Sequence, residues 1–254
     1  MHVALALDRP LLLEGEPGVG KTEIARVLAA VLGRELIRLQ CYEGIDTHQA
    51  LYEWDHARQL LAIRALGDAG GSVTALYGPE FLLERPLLHA LRTGAGAVLL
   101  IDEIDRADDE FEAFLLELLS DFAVTVPEIG TIEAEVPPVV VLTSNRTREL
   151  HDALKRRCLY HWIDFPDLER EVEIIRLRVP GVSEQLARSV AATVARLRGL
   201  ELVKRPGIAE AIDWAQALDV LGAGSADGDA ARQTLGWAVK NHEDLARAEA
   251  ALGD

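Results

Sequence analysis

Cysteine is scarce: Cys41 and Cys158 are the only two in 254 residues, with no CxxC spacing and no histidine pair beside them. That excludes a disulfide framework and a Cys/His zinc site, and reduced thiols in a cytoplasmic protein are the expectation. Long apolar runs are also missing. The AVLLI segment before Asp102 falls far short of the ~20 residues needed to cross a bilayer, so an integral membrane protein is not expected. The opening MHVALALDRP has no basic leader and is broken by Asp8, Arg9 and Pro10, so it is not read as a signal peptide. Positive charge is in deficit, with 26 Lys and Arg against 42 Asp and Glu, a net charge of −16. Binding a polyanion depends on basic side chains displacing counterions, so nucleic acid is not the expected main partner. The seven histidines (His2, His48, His56, His89, His151, His161 and His242) show no ligand spacing and receive no metal role. Aromatics make up 5%, and Trp54, Trp162, Trp214 and Trp237, each beside apolar neighbours, are expected in the core.

What is present is enough for a core: 49% of residues are hydrophobic, and the mean hydropathy is +0.09. The length suits one large α/β domain with a smaller companion. Residues Gly15, Glu16, Pro17, Gly18, Val19, Gly20, Lys21 and Thr22 spell GEPGVGKT, of the form G-x-x-x-x-G-K-[ST]. Chance would produce that pattern in roughly one chain of this length in a hundred. Here it follows the apolar Leu11, Leu12 and Leu13 and precedes EIARVLAAVLG, the strand and helix that a phosphate-binding loop needs.

Apolar runs alternate with helical patterns: LLLEG, ELIRLQC, AVLLIDE, PPVVVLTSN and YHWIDF read as buried strands of a parallel sheet. Ligands bind such sheets at the carboxyl ends of their strands. Between residues 44 and 91 the pattern is irregular: a helical piece LYEWDHARQLLAIRAL, the break GDAGGS, a strand-like VTALY and a helix FLLERPLLHALR. That stretch reads as an insertion, and FAVTVPEIGTIEAEV, about residues 122–136, reads as a hairpin. Strands stop after Phe165, and four helical stretches follow. The expected division is therefore an α/β nucleotide-binding domain over 1–165 and an all-helical domain over 166–254.

Four elements carry chemistry. In the loop, main-chain amides can cradle phosphate oxygens, Lys21 adds a fixed charge, and the Thr22 hydroxyl can ligate Mg2+. In AVLLIDEIDRAD, a strand delivers Asp102 to hold the metal and Glu103 to polarise a water, which suggests hydrolysis rather than binding alone. In PPVVVLTSNRT, Asn145 at a strand tip is a candidate phosphate sensor, although strands often end in Ser or Asn at a turn. In LKRRCLYHW, Arg156 and Arg157 have the planar fork suited to a developing phosphoryl charge. The bland alternative is that they are solvated residues completing a helix end.

With those elements in order, the chain resembles the AAA+ ATPases, and more narrowly the MoxR branch. LYEWDHARQLL, EFLLERPLLHAL, DDEFEAFLLELLSDF, TSNRTRELHDALKRRCLYHWIDFP and PGIAEAIDWAQAL are similar to its CoxD-type members. The resemblance implies a P-loop NTPase three-layer domain with a helical lid, and ATP and Mg2+ as ligands. It implies Asp102 and Glu103 as the second Walker element, Asn145 as first sensor, and Arg157 as arginine finger with Arg156 adjacent. It further implies a homo-oligomeric, hexameric ring acting on a protein client, here an apo-metalloenzyme of the molybdenum-containing carbon monoxide dehydrogenase kind, with a von Willebrand A domain partner. Two departures are visible. The region of the second-sensor arginine reads LVKRPGIAE, leaving Lys204 or Arg205 as substitutes, and only about ten residues precede the first strand.

The expected function is an ATP-hydrolysing remodelling chaperone. The alternatives are a nucleotide-gated assembly module with incidental hydrolysis, a nucleic-acid motor or, least fitting, a small-molecule kinase.

Overall fold

The computed structural model describes residues 2–66 and 76–253. The chain divides into two compact units: one of residues 1–15 and 21–162, the other of 16–20 and 163–254.

The first unit opens with a short helix α1 (His2–Ala6), strand β1 (Leu11–Gly15), helix α2 (Lys21–Leu32) and strand β2 (Glu35–Gln40). Next come α3 (Thr47–Ala50), β3 (Tyr52–Trp54), α4 (His56–Leu66), β4 (Leu82–Glu84), α5 (Pro86–Thr93) and β5 (Ala97–Asp102). Helix α6 (Asp109–Asp121), hairpin strands β6 (Ala123–Val126) and β7 (Gly130–Glu133), β8 (Val139–Ser144), α7 (Asp152–Arg157) and β9 (Leu159–Ile163) complete it. The central sheet has the order β2-β5-β8-β1-β9, with β2, β5, β8 and β1 paired in parallel. β1 and β5 are buried along their whole length, because apolar strands flanked by helices have no solvent face on which to place polar residues. Helix α5 buries Leu87, Leu88, Ala90 and Leu91, and α6 buries Phe111, Leu115, Leu118 and Leu119. In-register pairing sets Gln40 opposite Asp102 and Leu13 opposite Thr143, which gathers the polar strand ends at one edge.

Two stretches depart from the helices expected of them. Within LYEWDHARQLLAIRAL, Tyr52–Trp54 is a strand, and the helix starts at His56. Within FLLERPLLHALR, Leu82–Glu84 is its antiparallel partner, and the helix starts at Pro86. Proline at the first helical position pushes the preceding residue into an extended conformation, and Arg85 sits at φ −95 and ψ 170. Edge-to-face contacts of Trp54 with Tyr52 and Tyr77 cover the hairpin. The GDAGGS break and Val73, Thr74 and Ala75 of the strand-like VTALY lie outside the described residues.

The second unit contains α8 (Leu168–Arg178), α9 (Glu184–Arg198), α10 (Ile208–Val220), α11 (Gly228–Ala238) and α12 (His242–Gly253). Asp167 and Ser183 cap α8 and α9 by accepting from Arg170 N and Leu186 N. The last helical stretch, expected as one piece, is two. The Asn241 side chain accepts from Glu243 N and Asp244 N, starting α12 afresh after α11 ends. Among the tryptophans, Trp214 is fully buried and donates to Thr234 Oγ1. Trp237 is not in the core; it is 51% exposed, with Lys240 Nζ 5.3 Å above its ring. Helical spacing marked an apolar face without saying whether a neighbour covers it. Among the described residues, no helix is long and apolar enough to cross a membrane.

Candidate functional site

Four parallel strands end at one edge of the first unit, and their last residues meet there. Lys21, at the start of α2, is buried and donates from Nζ to the Gly15 carbonyl at 2.8 Å. Thr22 Oγ1 lies 3.1 and 3.4 Å from the two Asp102 carboxylate oxygens. Asp102 is 2% exposed, and a buried carboxylate is tolerated only when donors surround it. Here the Thr143 hydroxyl donates to Oδ1 and Arg38 donates from Nε to Oδ2 at 3.0 Å. Thr143 Oγ1 in turn accepts from Glu103 N at 2.9 Å, so one hydroxyl ties together the ends of two strands.

Glu103 stands in the left-handed region, φ 56 and ψ 50, just past β5. A non-glycine residue there is strained and persists only where its surroundings hold it. Its carboxylate accepts from Asn145 Nδ2 at 3.2 Å and from Gln40 Nε2 at 3.1 Å, and lies 3.1 Å from Arg106 Nε. Arg38 also donates to Gln40 Oε1, which orients the Gln40 amide with its NH2 toward Glu103. Thr22, the adjacent Asp102 and Glu103, and Asn145 thus form one network, with Thr22 bonded to Asp102, Asn145 bonded to Glu103, and Thr143 bridging the two acids. Gln40 and Arg38 are members that the sequence reading missed. Their signal lay in ELIRLQC, where Arg38 and Gln40, at i and i+2 on either side of Leu39, point to one face of the strand.

Arg156 and Arg157 are exposed on α7. Arg157 Nε donates to Ser120 Oγ at 2.9 Å, and the Arg156 carbonyl accepts from Arg9. Among the described residues, neither arginine hydrogen-bonds or ion-pairs with Asp102, Glu103 or Asn145. The thiols are inert neighbours. Burial, followed by Asp102, Asp105 and Glu103, pushes Cys41 up to about 12, and burial alone does the same to Cys158.

In the second unit, Gly18 and Gly20 adopt φ +78 and +92, which glycine reaches without strain. Gly18 meets Gly207 so closely that a Cβ on Gly207 would stand 2.8 Å from Gly18 Cα. Ile208 N donates to the Gly18 carbonyl at 2.9 Å. Val19 is buried, Pro17 is exposed, and Glu16 lies 3.9 Å from Arg205, while Lys204 lies 4.0 Å from Glu210.

The Thr22 hydroxyl and the Asp102 carboxylate offer hard oxygens, the ligand type magnesium prefers. The guanidinium of Arg38 shows that this buried carboxylate already calls for a positive charge.

Residues 10–158 match the family model of the AAA domain, dynein-related subfamily. NorQ of Paracoccus denitrificans is 27% identical over 79% of this chain and 68% of its own length. YehL of Escherichia coli is 32% identical over 69% of this chain and 47% of its own. A structure of the Thermotoga maritima RuvB K64R mutant superposes with a TM-score of 0.55 at 20% identity, covering 92% of this chain and 64% of that one, a likeness of fold. The chain spans about half the length of YehL and about two thirds of NorQ. With a P-loop NTPase sheet, a helical second unit and this match over more than half its residues, the chain belongs to the AAA+ ATPases, dynein-related subfamily, and is MoxR-like.

Proposed function

We propose that this chain hydrolyses ATP to remodel a protein client. The observation that carries the reading is the Glu103 carboxylate, held by two side-chain amides beside the Thr22 and Asp102 pair. Thr22 Oγ and an Asp102 oxygen would hold Mg2+, which when bound neutralises charge on the phosphates. Main-chain amides of residues 15–20 and the Lys21 ammonium bind the phosphate oxygens. Glu103 accepts a proton from the attacking water as its oxygen bonds to the terminal phosphorus and ADP departs. Asn145 keeps the Glu103 carboxylate aimed at that water. Arg157, exposed and directed to Ser120 rather than to this cluster, serves a neighbouring subunit's nucleotide in a homo-oligomeric, hexameric ring, with Arg156 beside it.

For the client, the CoxD-like segments support maturation of an apo-metalloenzyme of the molybdenum carbon monoxide dehydrogenase kind, with a von Willebrand A domain partner. The net charge of −16 favours a protein client over nucleic acid.

The test is steady-state ATPase activity of Glu103→Gln. Binding of a fluorescent ATP analogue persists, while turnover falls about 100-fold or more, the range for losing a general base. Unchanged turnover removes Glu103 from the role. Turnover per subunit rises with protein concentration as rings assemble, and a flat profile counts against the shared site. Tight ATP-dependent complex formation with near-zero turnover favours the nucleotide-gated module instead. Proteins retained by the Glu103→Gln trap identify the client.

A further inference from the structure

Asp105 is buried, 2% exposed, on the turn that follows Glu103, and the catalytic scheme above gives it no task. Its carboxylate accepts three hydrogen bonds, all from one segment 40 residues away. Oδ1 takes Asn145 N at 3.2 Å, and Oδ2 takes Thr147 N at 2.8 Å and Thr147 Oγ1 at 2.7 Å. The Thr147 hydroxyl also lies 3.2 Å from the Asp105 carbonyl.

Two residues beside this clamp have left-handed backbones, Glu103 at φ 56 and Arg146 at φ 56. Neither is a glycine, so each conformation needs external support. For Arg146, the bonds to Asn145 N and Thr147 N hold the residues on either side of it. The segment is further tied by Arg146 N to Ser144 Oγ at 3.1 Å and by the Arg146 guanidinium 5.8 Å over Trp162. The Asn145 side chain, carried by this segment, reaches Glu103 Oε1 at 3.2 Å. That contact joins two strand tips, and Asp105 bridges the same tips only two residues from Glu103.

We propose that Asp105 is a positioning residue: it fixes the 145–147 turn so that the Asn145 amide stays on the Glu103 carboxylate. The inference rests on the ATPase reading for its effect on rate, while its effect on the turn stands apart from that reading. A buried carboxylate suits the task because it offers several acceptor sites and cannot be left unpaired, so the turn and the carboxylate hold each other.

The experiment compares Asp105→Ala, Asn145→Ala, their double variant and Thr147→Val. Asp105→Ala lowers kcat about tenfold with KM within about twofold, the pattern of a lost transition-state interaction. In the Asn145→Ala background, Asp105→Ala slows turnover by no more than about twofold further, because its effect passes through Asn145. Thr147→Val, which removes one of the three donors, costs about threefold. Hydrogen exchange of the peptide spanning 144–149 speeds up in Asp105→Ala while peptides elsewhere keep their protection. Multiplying effects in the double variant, or unchanged exchange at 144–149, overturns the proposal. Should Asp105→Ala not fold, Asp105→Asn, which keeps one acceptor oxygen, enters the same cycle and exchange measurement. If the wild type shows no turnover, the ATPase reading fails, and the exchange result alone decides whether Asp105 holds the turn.

Discussion

Replacing Arg198 by methionine tests how the second unit is held together. Arg198 is nearly buried, its side chain 9% exposed, and it forms a two-point ion pair with Glu171, which is 1% exposed. Both N···O distances are 2.7 Å. The same guanidinium donates from Nε to the Pro206 carbonyl at 2.8 Å and lies 4.2 Å over the Phe165 ring. One side chain therefore joins α8, α9 and the segment that leads into α10. Methionine keeps much of the apolar volume but leaves Glu171 as a buried charge without its partner. Breaking one half of such a pair costs about 3–5 kcal/mol, because the desolvation of the remaining charge is no longer offset. For a unit of about 90 residues, each kcal/mol moves Tm by roughly 4–8 °C, so the transition of the helical unit falls by about 12–40 °C. Urea denaturation followed by tryptophan fluorescence reads this unit once Trp54 and Trp162 of the first unit are replaced by phenylalanine, since Trp214 is fully buried within the second. Adding Glu171→Leu to Arg198→Met recovers at least half of the loss, because no buried charge is left. A loss under about 1 kcal/mol in the single variant, or no recovery in the double, refutes the argument.

Gln40→Ala removes one of the two amides on Glu103. A neutral hydrogen bond of about 1 kcal/mol converts to a roughly fivefold fall in kcat in a steady-state assay, and equal or faster turnover contradicts an orienting role. The His89 imidazole is held above the usual histidine range by its hydrogen bond to Glu35, with Glu84, itself paired to Arg92, adding to the effect. A raised folded-state value means this contribution is fully present below the ordinary histidine value and lost as pH rises through the folded one. The stability gap between wild type and His89→Asn is therefore wider near about pH 5.5 than near about pH 8.5, though small, since the side chain is 42% exposed. A gap independent of pH, measured by urea denaturation, removes the coupling. Burial pushes both thiols up to about 12, so the reactive thiolate is scarce at pH 8. Iodoacetamide labels the native protein far more slowly than the urea-unfolded chain, and mass spectrometry showing equal rates contradicts that burial.

Local chemistry made part of this protein legible before its structure. The GEPGVGKT spacing, the apolar strands of the sheet and the carboxylates Asp102 and Glu103 are written in contiguous residues, because glycine freedom, strand burial and a strand-terminal acid are properties of short segments. What contiguous residues do not carry is partnership. The hairpin of Tyr52–Trp54 with Leu82–Glu84 joins segments separated by some 30 residues and was masked by helix-like spacing on both sides. Trp237 has the same apolar spacing as Trp214, yet Trp214 is enclosed and Trp237 is half exposed, which only packing decides. Gln40 and Arg38 look like ordinary strand residues until the parallel register sets Gln40 opposite Asp102. Asp105 reads as one more acid in an acidic run until the fold buries it against Asn145 and Thr147. By itself, then, the sequence determined the loop, the strands and the acids that mark a nucleotide site. Tertiary structure alone decided which side chains hold those acids in place, because a hydrogen bond between distant strands exists only once the sheet has closed its register.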